Sequence, residues 1–355
     1  MRVLVVDDTA SHRLTVANAL REIPGVVEVD TASSGEEALG AVIKKPYDLV
    51  TLDVEMPGMD GYAVLRWLMA NRPRPVLIIS DRRHDRSALG ALELGAFEVL
   101  GKPSSRSGGL TEWKRLLHEA VVEAAQLRVD LLAERARHAE EDPAHAHRRR
   151  PTPGALRSPS ASGPPTALVV AASTGGPPAL REIFSSLLER SAMVAVAQHM
   201  PASFTRSLAS RLKAETGWDT HEASEGTAAR GGSVYIAPGG RHLTLRRTEA
   251  GKVVFAVTPP TSPQAWCPSA DLLFASAASL YGPRLVAVVL TGMGDDGAAG
   301  VRAVANAGGT VICEGAETAV VPGMPEAAAR AVPGAIRLPL PQIGPEIDRV
   351  LRNLA

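Results

Sequence analysis

The sequence predicts two α/β domains, each built on a parallel sheet, with a linker between them. Short apolar runs alternate with helix-period segments in both halves, which is typical of βα units. A chain of 355 residues is too long for one ordinary core,. A polar, proline-rich segment separates the two halves. We therefore expect an N-terminal five-stranded parallel sheet and a C-terminal doubly wound, mostly parallel sheet.

The first half contains five strand-like apolar runs, each followed by a segment that can return as a helix. These runs are Val3–Val6, Val26–Val29, Asp48–Leu52, Val76–Ser80 and Phe97–Leu100. After Gly109, a long amphipathic stretch places Trp113 and Leu117 on one face and predicts a further helix. The first domain is expected to cover residues 1–122.

The middle of the chain has a composition that cannot bury a core. Residues 138–165 hold three consecutive arginines and six prolines, with almost no large apolar side chain. Such a segment is typical of a linker. We assign 123–165 to a helical extension followed by this linker, and 166–355 to the second domain.

Strand-like runs resume after Thr166, and a small β-rich insert at His242–Arg246 and Val253–Thr258 interrupts the alternation. The main runs are Ala167–Ala172, Met193–Ala197, Ser233–Ala237, Arg284–Thr291 and Thr310–Glu314. The second domain is therefore expected to be another open α/β sheet.

Charge and cysteine content exclude several classes of function. The 38 basic residues balance 38 acidic ones, so no global field favours nucleic acid or a membrane surface. Cys267 and Cys313 lack the spacing of a zinc cluster or a disulfide framework,. The apolar run Val3–Val6 is too short for a signal segment or a membrane span. We expect a cytoplasmic protein with no nucleic-acid partner and no direct membrane insertion.

Polar side chains follow the strands of the first domain at the points where those strands end. These residues are Asp7, Asp8, Asp53, Ser80 and Lys102. Carboxyl ends of parallel strands meet at one edge of a sheet, where ligands bind. Three carboxylates there can hold Mg²⁺ through oxygen ligands. Asp53 can then attack a phosphoryl donor, while Lys102 and Ser80 bind phosphoryl oxygens.

The motifs around these residues resemble the response-regulator receiver family. They are Val5-Val6-Asp7-Asp8, Leu52-Asp53-Val54-Glu55-Met56-Pro57-Gly58-Met59-Asp60-Gly61 and Lys102-Pro103. The resemblance implies a flavodoxin-like fold, Asp53 as phospho-acceptor and a histidine kinase of a chemotaxis-type pathway as phosphodonor. It also implies that Asp8, Asp53 and the backbone carbonyl of Glu55 bind Mg²⁺, with Asp7 acting through water.

Two positions depart from the receiver pattern. Asp81 follows Ser80 where a small residue is usual in the family, and Val99 stands where many receivers carry an aromatic switch residue. The carboxylate of Asp81 is expected to crowd the phosphate on Asp53. The absence of an aromatic residue at position 99 leaves the usual route of signal relay in receivers without its switch residue.

A second constellation lies in the C-terminal half. Ser173 directly follows the run Ala167–Ala172, and His199 follows the run Met193–Ala197 after Gln198. Asp295 and Asp296 follow a third run after a short glycine-containing segment. A serine, a histidine and an aspartate at one sheet edge can form a hydrolytic triad, whatever their order in the chain. Ser173 would attack an acyl carbon, His199 would accept its proton, and one aspartate would orient the imidazole. His221 and His242 are the competing histidines.

Backbone N–H groups near Thr174 and Met293 are candidates for the oxyanion hole of this triad.

The same region offers an alternative reading as a dinucleotide site. Gly292, Gly294 and Gly297 satisfy G-x-G-x-x-G between a strand and a helix, and Glu314 ends the next strand,. However, two carboxylates occupy the loop where a pyrophosphate would bind and would repel it.

The motifs of the second half resemble the CheB family of receiver-controlled protein-glutamate methylesterases. They are Ala172-Ser173-Thr174-Gly175-Gly176, Gln198-His199-Met200-Pro201, Tyr235-Ile236-Ala237-Pro238-Gly239-Gly240, Pro268-Ser269-Ala270-Asp271, Leu290-Thr291-Gly292-Met293-Gly294-Asp295-Asp296-Gly297 and Gly323-Met324-Pro325. The resemblance selects Asp296 as the triad aspartate. It implies hydrolysis of glutamate γ-methyl esters on methylated chemoreceptors, often with deamidation of receptor glutamines, and no cofactor for the esterase.

The resemblance further implies that the unphosphorylated receiver covers the esterase cleft and that phosphorylation relieves this block. Trp266-Cys267 and Pro322 depart from the family pattern and are expected near the cleft. Two other functions stay open at the level of sequence. One is a non-catalytic response regulator whose second domain only binds a receptor or signalling partner, and the other is a nucleotide-dependent enzyme that uses the Gly292–Gly297 loop.

Overall fold

A computed structural model describes residues 1–81, 85–103, 109–141, 166–260 and 266–354, without the side chains of 85–87 and 139–141. The chain divides into two units, Met1–Pro143 and Ala144–Ala355. Most of the predicted linker lies outside the described residues. The boundaries 1–122, 123–165 and 166–355 therefore stay predictions.

The first unit is a five-stranded parallel sheet with the strand order β2-β1-β3-β4-β5, which confirms the predicted sheet. Its elements are β1 (Arg2–Val6), α1 (Ala10–Arg21), β2 (Glu28–Ala32), α2 (Gly35–Lys44), β3 (Leu49–Leu52), α3 (Gly61–Asn71), β4 (Val76–Ser80), α4 (Asp85–Glu93), β5 (Glu98–Gly101), α5 (Gly109–Ala124) and α6 (Val129–Glu141). The strands β3 and β4 are wholly buried, as expected for inner strands covered on both faces.

The second strand begins later than the apolar run predicts. Val27 is exposed and precedes β2, whose carboxylates Glu28 and Asp30 both contact Lys45 Nζ, at 2.5 and 2.7 Å. An edge strand pairs on one side only, so polar residues on its outer face keep their solvent contact. The apolar pattern of an edge strand is consequently a poor guide to its limits.

The helix α6 extends the first unit beyond α5. It packs against α3 and α4, and Leu132, Ala133 and Ala136 on one of its faces are buried. The spacing of these residues is that of an amphipathic helix. The predicted helical extension is thus part of the first unit's packed structure.

The second unit is a seven-stranded sheet in which all strand pairs are parallel, together with an antiparallel hairpin. Its elements are β6 (Ala167–Ala172), α7 (Gly176–Ser186), β7 (Met193–Gln198), α8 (Ala202–Thr216), β8 (Asp219–Glu222), β9 (Ser233–Ile236), β10 (His242–Arg247), β11 (Val253–Thr258), α9 (Ala270–Tyr281), β12 (Leu285–Val289), α10 (Ala298–Asn306), β13 (Thr310–Glu314), α11 (Gly323–Ala331), β14 (Ile336–Leu338) and α12 (Leu340–Leu354).

The strand order of this sheet, β14-β13-β12-β6-β7-β9-β8, places a topological switch between β6 and β12. The chain first builds outwards from β6 through β7, and later returns to build the other half from β12. Connections therefore leave β6 and β12 in opposite directions, which opens a crevice at their carboxyl ends. The β10–β11 hairpin packs on α9 through β10.

Two strands of this sheet were absent from the prediction. The residues of β8 are Asp-Thr-His-Glu, and β14 has only three residues. Both lie at edges of the sheet, where one neighbour suffices and an apolar run is unnecessary. Within the described ranges, no helix has the length and apolar character needed to cross a membrane.

We predict that Glu98 makes the stability of the first unit depend on pH. Burial and the negative charge of the nearby Glu123 raise the pKa of Glu98 from 4.5 to about 8. Between these values the folded state keeps a proton that the unfolded state has lost. The free energy of unfolding therefore falls as the pH rises through this window, by up to about 1.4 kcal/mol per pH unit.

Glu98→Gln should remove this dependence, because the glutamine stays neutral and can still accept the hydrogen bond from Val99 N. Urea unfolding of the full chain at pH 5.5 and pH 8 measures the difference. Glu134→Gln, at an exposed position of α6, controls for the loss of a carboxylate. A variant that tracks the wild type at both pH values would contradict the prediction.

Candidate active and phosphorylation sites

Ser173 and His199 follow neighbouring strands in register. Ala172 of β6 lies opposite Gln198 of β7, so the next residue of each strand reaches the same edge. His199 N donates to Ala172 O at 2.9 Å. Both side chains are almost completely buried. The parallel pairing therefore places the predicted nucleophile and the predicted base side by side.

A buried amide holds these two residues together. Gln198 Nε2 donates to Ser173 O at 2.9 Å and to His199 O at 3.0 Å. Gln198 points to the inside of the second unit, where no solvent can replace these bonds,. Gln198 belongs to the motif Gln198-His199-Met200-Pro201, in which His199 is the predicted functional residue. The only sequence signal for a role is its place at the end of a buried strand, directly before His199.

The imidazole of His199 is hydrogen bonded to the carboxylate of Asp296, with 2.8 Å between Nε2 and Oδ2. Asp296 is 4% exposed. Its oxygens also accept from Ala270 N at 2.7 Å, from Asp271 N at 3.1 Å and from Ser269 Oγ at 3.2 Å. The carboxylate thus lies at the N-terminus of α9, where backbone N–H groups and the helix dipole favour a negative charge.

This environment decides the charge of Asp296. Burial by itself raises the pKa of the Asp296 carboxyl, but the hydrogen bond from His199 and the amides of Ala270 and Asp271 outweigh it and lower the pKa overall. An ionised carboxylate only accepts, so His199 Nε2 carries the hydrogen of the shared bond. Nδ1 is buried and has no hydrogen-bond partner among the described residues. Nδ1 is therefore the ring nitrogen that is left to exchange a proton with a neighbouring group.

The loop that carries Asp296 is attached to the nucleophile through Thr291. Thr291 O accepts from Ser173 N at 3.0 Å, and Thr291 Oγ1 donates to Thr174 O at 2.9 Å. Gly292 lies so close to Ser173 that a Cβ at this glycine would be 2.6 Å from the serine Cβ. Only glycine allows this approach. Asp295, by contrast, is exposed, which separates it from the buried Asp296.

Glu314 has a structural role at this loop. Its Oε2 accepts from Thr291 N at 2.8 Å, and the residue is buried. A dinucleotide site would need this carboxylate to reach a ribose hydroxyl. The contacts of Glu314 hence speak against the nucleotide alternative, as do the carboxylates of the loop.

The structure does not join Ser173 and His199 by a hydrogen bond. No such bond from Ser173 Oγ is present within the described ranges, although both residues lie at one edge. Such contacts often shorten only when substrate binds. Of the predicted oxyanion residues, Thr174 is buried and Met293 is partly exposed in the loop after β12. Their role stays a prediction.

The two competing histidines have other partners. His242 Nδ1 accepts from Ser269 N at 3.2 Å, and burial lowers the pKa of His242. His221 pairs with Asp219 at 2.9 Å on the edge strand β8, with its side chain half exposed. His199 is the histidine that contacts Asp296.

Trp266 and Pro322, which depart from the family pattern and were expected near the cleft, both lie at this site. The indole of Trp266 stacks on the imidazole of His199, with ring centroids 5.0 Å apart and planes 6° apart. Pro322 precedes α11, next to Val321 N, which donates to Thr291 Oγ1 at 3.0 Å. No sequence pattern indicated that the tryptophan would lie on the histidine ring itself.

The acidic residues of the first unit converge at the carboxyl edge of its sheet. Carboxylate oxygens of Asp7, Asp8 and Asp53 lie within 4.8 Å of one another. Asp7 and Asp53 are buried, whereas Asp8 is exposed and borders a cleft of about 480 Å³ that Glu55 and Tyr62 also line. Oxygen ligands this close together suit a small hard cation such as Mg²⁺.

Lys102 neutralises part of this negative charge. Its Nζ lies 2.5 Å from Asp53 Oδ2 and 2.9 Å from Asp7 Oδ2. Burial raises the pKa of Asp53, and the ammonium of Lys102 and the amide of Glu55 act in the opposite direction. Ser80 is buried at the end of β4, on the strand next to β3 and β5. The site therefore combines a carboxylate, a cation and a hydroxyl at adjacent strand ends.

The two residues that depart from the receiver pattern, Asp81 and Val99, differ in solvent exposure. Val99 is completely buried within β5, and Asp81 is partly exposed directly after Ser80. Val99 accordingly offers no ring that can alternate between a buried and an exposed position.

Comparison with known proteins gives two family matches and whole-length relatives. Residues 3–112 match the response regulator receiver domain, and residues 168–347 match the CheB methylesterase. A protein-glutamate methylesterase/protein-glutamine glutaminase of Myxococcus xanthus is 42% identical and covers 99% of this chain and 97% of its own. A protein of the same description from Anaeromyxobacter dehalogenans is 41% identical, covering 93% and 89%.

A solved structure supports the same comparison for the second unit. The CheB methylesterase catalytic domain of Thermotoga maritima has a TM-score of 0.51 and 38% identity, and it covers 53% of this chain and 99% of its own.

Replacement of Gln198 should destabilise the second unit. Gln198→Met keeps the length of the side chain but loses both bonds to the Ser173 and His199 carbonyls, and we expect the free energy of unfolding to fall by about 1–3 kcal/mol. Gln198→Glu should cost more, because a carboxylate would face two carbonyl oxygens. Urea unfolding of the full chain measures both, and the same changes at the exposed Gln342 serve as controls. Equal stability of all four variants would show that the hydrogen bonds from Gln198 to the Ser173 and His199 carbonyls do not stabilise the second unit.

Proposed function

This chain belongs to the CheB methylesterase family, and we propose that Ser173, His199 and Asp296 are the residues with which it hydrolyses glutamate γ-methyl esters on chemoreceptors. The observation that carries this proposal is the pair of His199 and Asp296, which occupies Nε2 and leaves Nδ1 without a hydrogen-bond partner among the described residues, at the strand end beside that of Ser173. The reaction is a demethylation under phosphorylation control. A purely binding second domain would not need a buried ionised carboxylate behind a histidine.

The proposed chemistry proceeds through an acyl-enzyme. Ser173 Oγ attacks the ester carbonyl carbon while His199 Nδ1 takes the hydroxyl proton. The tetrahedral intermediate collapses, its bond to the methoxy oxygen breaks, and the proton moves from His199 to that oxygen, which leaves as methanol. Water then attacks the acyl carbon while His199 takes a proton from it. The bond from the acyl carbon to Ser173 Oγ breaks, His199 returns the proton to Oγ, and the glutamate leaves. Asp296 stays ionised and stabilises the imidazolium that forms in each step.

The same residues can deamidate a glutamine, since the leaving group is then ammonia and the acyl-enzyme is identical. The protein-glutamine glutaminase activity in the names of the relatives supports this extension. We propose the backbone N–H groups at Thr174 and Met293 as donors to the oxyanion, where one lost donor typically costs about 10²–10³ in rate.

We further propose Asp53 as the phospho-acceptor of the receiver. A carboxylate oxygen of Asp53 attacks the phosphorus of the donor, and the bond from phosphorus to the leaving group breaks. Mg²⁺ held by Asp8, Asp53 and the Glu55 carbonyl, with Asp7 acting through water, would neutralise charge on the phosphoryl oxygens. Lys102 and Ser80 bind the remaining oxygens. The donor is proposed to be a histidine kinase of a chemotaxis-type pathway.

In this proposal the unphosphorylated receiver blocks the esterase. The receiver covers residues 1–122, the helical extension and linker cover 123–165, and the catalytic domain covers 166–355. We propose a cytoplasmic location, because the kinase that supplies the phosphoryl group uses cytoplasmic ATP.

Ser173→Ala should abolish methanol release from methylated receptor fragments. We expect the rate to fall by about 10⁶-fold, since the attacking oxygen is lost while the rest of the site stays in place. A time course of methanol release measures this, with His221→Ala as the matched control at an exposed imidazole. Release by Ser173→Ala at the wild-type rate would sink the assignment.

Asp53→Asn should remove the response of the esterase to a phosphodonor. With acetyl phosphate and Mg²⁺, we expect wild-type methanol release to rise by about 5–150-fold, the usual range for coupling between two sites. The asparagine cannot form the acyl phosphate, so its rate should not respond. Asp130→Asn, exposed on α6, should respond like the wild type. Equal stimulation of Asp53→Asn would place phosphorylation elsewhere.

A further inference from the structure

An aromatic ring lies face to face with the imidazole of His199. Trp266 stacks on it with 5.0 Å between the centroids and only 6° between the planes. Its Nε2 is hydrogen bonded to Asp296 Oδ2. A hydrogen bond to one ring atom does not by itself oppose a tilt of the imidazole about the axis of that bond. A parallel ring stacked on the imidazole opposes this tilt.

The indole is itself held by the loop that carries Asp296. Gly294 has a φ of +87°, and a Cβ at this position would lie 3.0 Å from Trp266 Cζ2. A larger residue at 294 would therefore displace the indole. The tryptophan thus lies between the loop after β12 and the imidazole, and it precedes the turn that leads into α9, whose first amides hold Asp296.

Trp266 is 37% exposed although it is a large apolar residue. The covered part of the indole lies on His199 and beside Gly294, so the tryptophan lies at the solvent-exposed border of the site. Indole is also the aromatic ring that best stabilises a neighbouring cation. The imidazole becomes such a cation when it takes the proton of Ser173.

We propose that Trp266 is a positioning residue of the esterase. Its indole holds the imidazole of His199 in the orientation that directs Nδ1 to Ser173 while Nε2 stays on Asp296, and it stabilises the imidazolium formed during turnover. The inference rests on the proposed role of His199. It differs from a role in substrate binding, since the indole acts through the histidine and affects the step after the substrate has bound.

Steady-state kinetics of methanol release by the full chain, with phosphodonor, separates these roles. We expect Trp266→Ala to lower kcat by about 10-fold with KM changed by less than about 2-fold, which corresponds to about 1.4 kcal/mol. Trp266→Phe should recover most of kcat, because phenylalanine keeps a flat ring on the imidazole. Leu272→Ala, at an exposed position of α9, should behave like the wild type.

Three kinetic results would overturn the proposal: an unchanged kcat in Trp266→Ala, a rise in KM alone, or an equal loss of kcat in Trp266→Phe. The rise in KM would instead assign the indole to substrate binding.

Tryptophan fluorescence tests the contact without activity. The emission of Trp266 is obtained as the difference between the wild type and Trp266→Phe at about pH 5, where histidine side chains are ordinarily protonated, and a stacked imidazolium quenches indole emission. His199→Ala should therefore raise the wild-type emission and leave that of Trp266→Phe unchanged. An unchanged emission in His199→Ala would show that the rings do not stack and would overturn the proposal. If Ser173→Ala stayed active, the proposed function would fail while this fluorescence result would still stand.

Discussion

Hydrogen bonds from His199 and from the first turn of α9 keep Asp296 ionised inside the protein, and the geometry of the candidate esterase site depends on that charge. Burial alone would favour the neutral acid. The hydrogen bond and charge of His199, together with the amides of Ala270 and Asp271, reverse this preference, and the carboxylate then decides which nitrogen of His199 carries hydrogen. If Asp296 were protonated, Nε2 could accept and the hydrogen could move to Nδ1, which would leave Ser173 without a base. The reactivity of the serine is therefore set by the start of a helix that does not carry it.

The parallel sheet supplies the rest of the arrangement. Adjacent strands in register bring Ser173 and His199 to one edge, and the switch between β6 and β12 adds the loop of Asp296 beside them. The first unit uses the same principle for Asp7, Asp53, Ser80 and Lys102. In both units the register of the parallel strands brings the functional residues to one edge of the sheet. The two sites are thus products of the same topology with different side chains.

Much of this could be predicted from the sequence, because inner parallel strands are buried on both faces and appear as continuous apolar runs. A polar residue at the end of such a run lies at the sheet edge, which is why Ser173 and His199 could be predicted. The edge strand β8 could not be predicted, because an edge strand is less enclosed than an inner strand and β8 consists of polar residues. Physical reasoning from the sequence could not choose between Asp295 and Asp296, since burial distinguishes them and burial follows from tertiary structure. The stack of Trp266 on His199 joins segments distant in the chain and leaves no local pattern.

Thr291 has a consequence for how this site can evolve. Its amide, carbonyl and hydroxyl are bonded to Glu314 of β13, to Ser173, and to Thr174 and Val321. A one-residue insertion next to it would break these bonds together, so intermediates between two loop lengths would be poorly folded. Lineages of this chain should therefore conserve the length of the segment between β12 and α10 more strictly than its composition. The exposed position of Asp295 is where variation can accumulate at little cost.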